Sequence, residues 1–140
     1  MDKKKIIIIV IAVVVVVAVA IAAIFLTRPK EEKEVPIVYS EYVIESQLAN
    51  IQTPENAVRK SVVKYTISIK YVSDPETDEL IKSKDSELKN EVRKYFMSKN
   101  ATQLQRLERI QEDLVDVVIK TVDIDADKIT NVFLVDFIIQ

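Results

Sequence analysis

The stretch Val63-Lys64-Tyr65-Thr66-Ile67-Ser68-Ile69-Lys70-Tyr71 decides the fold class. Val63, Tyr65, Ile67, Ile69 and Tyr71 take one parity, and Lys64, Thr66, Ser68 and Lys70 the other. That period of two is expected of a strand with one face packed and the other in water. Upstream, the mixed stretch Val35–Ile51 has apolar points at Tyr39, Tyr42, Val43, Ile44, Leu48 and Ile51, and it predicts a partner strand near Tyr42–Leu48. Thr53-Pro54-Glu55-Asn56 supplies the turn between the two.

Downstream of Ser73-Asp74-Pro75 the period changes. Ile81, Leu88, Val92, Tyr95 and Phe96 share one helical face, predicting a single helix that ends near Asn100, a residue tolerant of the left-handed conformation of helix ends. Thr102-x-x-Gln105 has the form of a capping box opening a second amphipathic helix. Its stripe is Leu104, Leu107, Ile110, Leu114, Val117, Val118 and Val122. Asp123-Ile124-Asp125-Ala126-Asp127 breaks this helix. Alternating aspartates can begin a calcium loop, but Lys128 stands where such a loop needs glycine and Leu134 where it needs glutamate, so a solvated loop is expected.

The last segment, Ile129–Gln140, is apolar on both parities: Phe133, Val135, Phe137 and Ile139 on one, Val132, Leu134 and Ile138 on the other. Such a strand is covered on two sides. Either it is central in the domain's own sheet, or one face or edge is covered by a neighbouring subunit.

At the other end of the chain, Ile6 to Leu26 are 21 consecutive residues without a charge or hydroxyl, sixteen of them Ile, Val, Leu or Phe and five Ala. A helix of that length is roughly 31 Å long, the thickness of a bilayer's hydrocarbon core. Read as a cleaved signal peptide, the segment offers Lys3, Lys4 and Lys5 as a basic start and Ala18-Val19-Ala20 as a cleavage site. The apolar run is, however, longer than the ~7–15 residues of a signal core, which favours an uncleaved anchor. Three basic residues precede the span and three follow closely (Arg28, Lys30, Lys33), so charge counting ties. The long segment after the span favours an amino end, marked by Lys3, Lys4 and Lys5, in the cytoplasm and a domain outside it. The expected organisation is a tail at 1–5, a transmembrane helix at 6–26, a charged, proline-bounded linker at 27–36 and an extracytoplasmic domain at 37–140.

The chain contains no Gly, no His and no Cys. Without Gly there is no phosphate-cradling loop of the dinucleotide or nucleoside-triphosphate type. Without His there is no Ser-His-Asp or Cys-His arrangement, and without either His or Cys a structural zinc site is out of reach. The formal net charge is −2 with signs interspersed, which argues against nucleic acid as a partner. No cofactor is expected.

The order of anchor, linker, two strands, two helices and a final strand resembles the FliL family of flagellar basal-body-associated proteins. The resemblance is carried by Tyr65–Tyr71, by Glu87-Leu88-Lys89-Asn90-Glu91-Val92-Arg93 and by the terminal segment, in which Val132, Phe133, Phe137, Ile138, Ile139 and Gln140 match the family's pattern. Family members often carry glycines in their loops; here Asn, Asp or Ser must serve instead, and Asn100-Ala101-Thr102 is unlike the usual sequence between the helices. The resemblance implies an α+β class: a stomatin/prohibitin (SPFH)-like domain of ββααβ order behind a single transmembrane helix in the bacterial inner membrane. It further implies a homo-oligomeric ring around stator units of MotA/MotB type, near the MS-ring of the basal body, supporting flagellar rotation without catalysis. Val132, Phe133, Leu134, Phe137, Ile138 and Gln140 form the candidate assembly surface. Two other readings stand beside it. One is an anchored adaptor of another envelope complex. The other is an enzyme of envelope polymers drawing paired carboxylates from Glu41, Glu45, Asp78, Glu79, Glu112 and Asp113.

Overall fold

The computed structural model describes residues 3–27 and 34–140, which divide into two units between Val35 and Pro36. The first unit contains helix α1, Lys3–Thr27. Beyond Lys3, Lys4 and Lys5 it is apolar all round, with a mean hydropathy of 3.6 over an 18-residue stretch, and none of its residues is buried by protein. A helix without a polar face needs an apolar surround, and α1 is long and apolar enough to cross a membrane. Most of the expected linker, residues 28–33, lies outside the described residues, as do the first two residues of the expected tail.

The second unit holds β1 (Tyr39–Asn50), β2 (Val62–Val72), α2 (Pro75–Ser83), α3 (Asp85–Met97), α4 (Leu107–Val122) and β3 (Ile129–Ile139). The sheet is antiparallel in the order β1-β2-β3. The class is α+β, but the element order is ββαααβ, with three helices where two were expected. The single helix expected from Ile81 to Phe96 is interrupted at Lys84, whose φ of −95° and ψ of 11° take it out of the helical region. Its amide is shared between the Leu80 and Ile81 carbonyls at 3.2 Å each. Ile81 and Leu88 both remain buried across the break, which is why periodicity alone did not register it.

Each helix start has a local cause. Asp74 caps α2, its carboxylate accepting from the Thr77 amide (2.8 Å) and hydroxyl (2.9 Å), with Pro75 opening the first turn. Lys128, from the turn before β3, donates to the same carboxylate at 2.6 Å. These bonds, Lys128's first, pull the Asp74 pKa down to about 2. The expected capping box at Thr102 and Gln105 is displaced by two residues: Asn100 and Gln103 exchange amide-to-side-chain bonds at 3.0 and 2.9 Å around the short turn Gln103–Gln105. Asn100 is not left-handed, and α3 ends at Met97. The left-handed residue is Asp123, at φ 59°, which terminates α4 as its amide reaches the Ile119 carbonyl at 3.0 Å. The aspartate-rich segment thus stops a helix, and no acidic cluster able to hold a metal occurs among the described residues.

The core lies between one sheet face and the helices. Val63, Tyr65, Ile67, Ile69 and Tyr71 of β2 meet Ile81, Leu88, Val92 and Phe96, and Ile110, Leu114, Val118 and Val122 of α4. Leu104 is buried ahead of α4, whereas Leu107, expected on the stripe, is 47% exposed. Phe96 is central, its ring 4.3 Å from Tyr65 and 6.0 Å from Phe137.

Candidate assembly surface

β2 is the central strand; β3 is an edge. Of the two readings of the final strand, the one that made it central in its own sheet is therefore corrected. The division of faces also differs from plain alternation. Asp136 pairs with Thr66 and Leu134 with Ile67, leaving Val135 as an extra residue in β3. The bulge switches parity. Val132, Leu134, Phe137 and Ile139 all pair with inward residues of β2, namely Ile69, Ile67, Tyr65 and Val63. Phe133 and Ile138 pair with outward ones, Ser68 and Lys64. A second irregularity in β1, between Ile44 and Gln47, lies at the same level beside Thr66. Both edges are therefore bulged beside Thr66, next to the row where Phe96 packs on Tyr65, and bulges bend strands and increase twist.

The expected assembly residues consequently separate. Val132 is fully buried, and Leu134 and Phe137 are half-buried against the core. Phe133 and Ile138 face outward, 39% and 50% exposed, in rows with Val43 (45%) and Leu48 (60%) of β1. Gln140 continues the ladder, exchanging two 2.8 Å backbone bonds with Val62. Lys3, Lys4 and Lys5 are exposed in the first turn of α1. The outward facing of Val43 and Leu48 and the edge position of β3 went unrecognised in the sequence because the bulges that set the faces leave no mark in composition.

Polar contacts stiffen this outward face. Ser68, buried between Val43 and Phe133, donates to Glu41 at 3.1 Å, and the Lys70 ammonium lies 5.2 Å from the Tyr39 ring centre. On the inner side two phenols latch helices in place. The Tyr42 hydroxyl donates to Asp85 at the start of α3; burial, then this bond, pushes its pKa up to about 12. Asp85, bound also by Lys89 at 2.8 Å, is held below the usual carboxylate range, Lys89 contributing most. Tyr95 of α3 donates to Asp113 of α4 at 2.9 Å, and burial followed by this bond raises its pKa well above that of free tyrosine. Of the carboxylates considered for catalysis, three accept hydroxyl bonds within the fold: Glu41 from Ser68, Asp78 from Ser73 and Asp113 from Tyr95.

The profile of the family described as "Flagellar basal body-associated protein FliL" matches residues 42–140, from the first third of β1 to Gln140 just after β3. The chain belongs to the FliL family. FliL proteins are structural components associated with the flagellar basal body, and α1, outside the matched region, is consistent with a single-pass membrane anchor. No curated protein matches the chain closely enough to add a named relative. The terminal FliL pattern now has a physical reading: Val132 and Phe137 hold β3 to the core, while Phe133 and Ile138 form its outward row.

Proposed function

We propose that this FliL protein is a non-enzymatic scaffold of the flagellar motor. Residues 6–26 span the inner membrane, with Lys3, Lys4 and Lys5 in the cytoplasm. The domain at 37–140 assembles outside the cytoplasm into an SPFH-like ring around stator units of MotA/MotB type, close to the MS-ring. The ring supports torque by holding the stator in its working state through structural contacts.

The observation that carries this reading is the outward apolar row of β3 in a FliL domain: Phe133 and Ile138 sit beside a strand edge that is unpaired among the described residues. Apolar surface at a bare edge is a liability for a free monomer and an asset for an assembling one. Copies anchored in one bilayer share an orientation about its normal and are held at high effective concentration, which favours a head-to-tail closed ring. The test is deletion of the gene, scored by swimming in media of rising viscosity. Cells that keep flagella but lose speed as load rises support stator scaffolding. Unchanged motility at every load would remove the stator role and favour an anchored adaptor of another envelope complex.

A further inference from the structure

A second feature lies away from the sheet face, where the end of α3 meets the start of α4. Lys99, Thr102, Gln103, Arg106, Arg109 and Asp113 line an open pocket of about 340 Å³. Its lining has three cations and one carboxylate, in a chain whose formal net charge is −2. That carboxylate is already engaged: Asp113 accepts from the Tyr95 hydroxyl at 2.9 Å and lies 3.8 Å from both Lys99 and Arg109. Lys99 is steadied by the Tyr95 ring, 4.9 Å from its ammonium, and by its own carbonyl, which accepts from the Gln52 amide at 2.8 Å. Gln103 uses its side-chain oxygen to cap Asn100, which leaves its amide group to donate. Glu108 and Glu112 line an adjoining groove with the same two arginines, yet among the described residues neither forms an ion pair with them.

The pocket is thus rich in donors and poor in free acceptors, and its lining carries two unbalanced positive charges. We propose that it binds a phosphate-bearing ligand. A phosphate group brings two acceptor oxygens and one negative charge as a diester, or three oxygens and up to about two charges as a monoester, and guanidinium forks match its geometry through paired, charge-assisted bonds. The volume exceeds that of the ion alone, so the Thr102 hydroxyl and the Gln103 amide would meet the group that carries the phosphate. The phosphate could be a lipid headgroup or a soluble phosphate; the chemistry of recognition is shared.

The test uses the full chain in an uncharged maltoside detergent, with arginine side-chain nitrogen resonances followed by NMR as inorganic phosphate is added at constant ionic strength. Saturable shifts at Arg106 and Arg109 at low millimolar concentration are expected, with affinity falling about tenfold or more in Arg106→Gln/Arg109→Gln. The double substitution Lys82→Gln/Lys120→Gln removes the same charge elsewhere and should leave binding intact. Absence of saturation up to about 50 mM, an equal loss in the Lys82/Lys120 control, or equal binding of acetate would each overturn the proposal. A parallel arm compares the chain in phosphatidylcholine and phosphatidylglycerol nanodiscs. Occupation of the two arginines by phosphatidylglycerol without added phosphate identifies the source as a lipid headgroup, and a response to free phosphate alone identifies it as soluble.

Discussion

The bulge at Val135 makes a quantitative prediction. In an unbroken strand Phe133 and Phe137, four residues apart, would share a face, and truncating either would cost about the same. With the bulge, Phe137 packs inward, its ring 6.0 Å from Phe96 and its backbone opposite Tyr65, while Phe133 faces outward and is 39% exposed. Complete burial of a phenylalanine is lost at ~3–5 kcal/mol on truncation to alanine. Phe137 is half-buried, so Phe137→Ala should destabilise the domain by about 2–3 kcal/mol. Phe133→Ala should cost about 1 kcal/mol or less, in keeping with a surface position. The assay is denaturant unfolding of the full chain in detergent, followed by near-ultraviolet tyrosine dichroism, since the chain has five Tyr and no Trp. Midpoints at equal slope give the two differences directly. Equal losses at the two positions, or a larger one at Phe133, would refute the assignment of faces.

Three further outcomes are expected. The Tyr65 hydroxyl is buried with no hydrogen bond of good geometry among the described residues, and the nearby Arg93 guanidinium donates to Gln47 at 3.2 Å, so Tyr65→Phe should change stability by no more than about 1 kcal/mol in the same unfolding assay. Asp123 is held at φ 59° at the end of α4, where glycine is easier to place, so Asp123→Gly should stabilise by roughly 1 kcal/mol, read as a higher melting temperature. The lowered pKa of Asp74 means that its contribution is full above the ordinary aspartate range near ~4 and is lost as pH falls through about 2. Asp74→Asn should therefore lower the melting temperature at neutral pH and flatten its decline between about pH 4 and pH 2.

Much of this fold is legible in the sequence, and the exceptions share a cause. The strand Val63–Tyr71 could be read because one parity is wholly buried; α4 could be read because Ile110, Leu114, Val118 and Val122 recur at helical spacing. What could not be read depends on single backbone torsions or on register. The break at Lys84 keeps Ile81 and Leu88 on the same side, so the apolar pattern passes through it unchanged. Asn100 and Thr102 both resemble helix-end residues in type, and only the bonds made with Gln103 decide between them. In β3 an apolar residue stands on both parities, so no alternation remains to reveal a shift of one residue. Edge position is invisible for a related reason: Phe133 and Ile138 would suit a covered strand equally well. The same ambiguity explains why six residues chosen as one surface divide into three inward, two outward and Gln140 at the end of the ladder.

The scaffold account depends on that outward pair being used in the motor and not merely tolerated. The most direct measurement is swimming speed against viscosity for cells carrying Phe133→Asp/Ile138→Asp, with the variant's melting temperature and membrane level checked beside it. Both side chains already meet solvent, so the domain should stay folded, and the account predicts speeds that fall progressively below normal as load rises. A folded, normally abundant variant that swims like the unaltered protein at every load would contradict it.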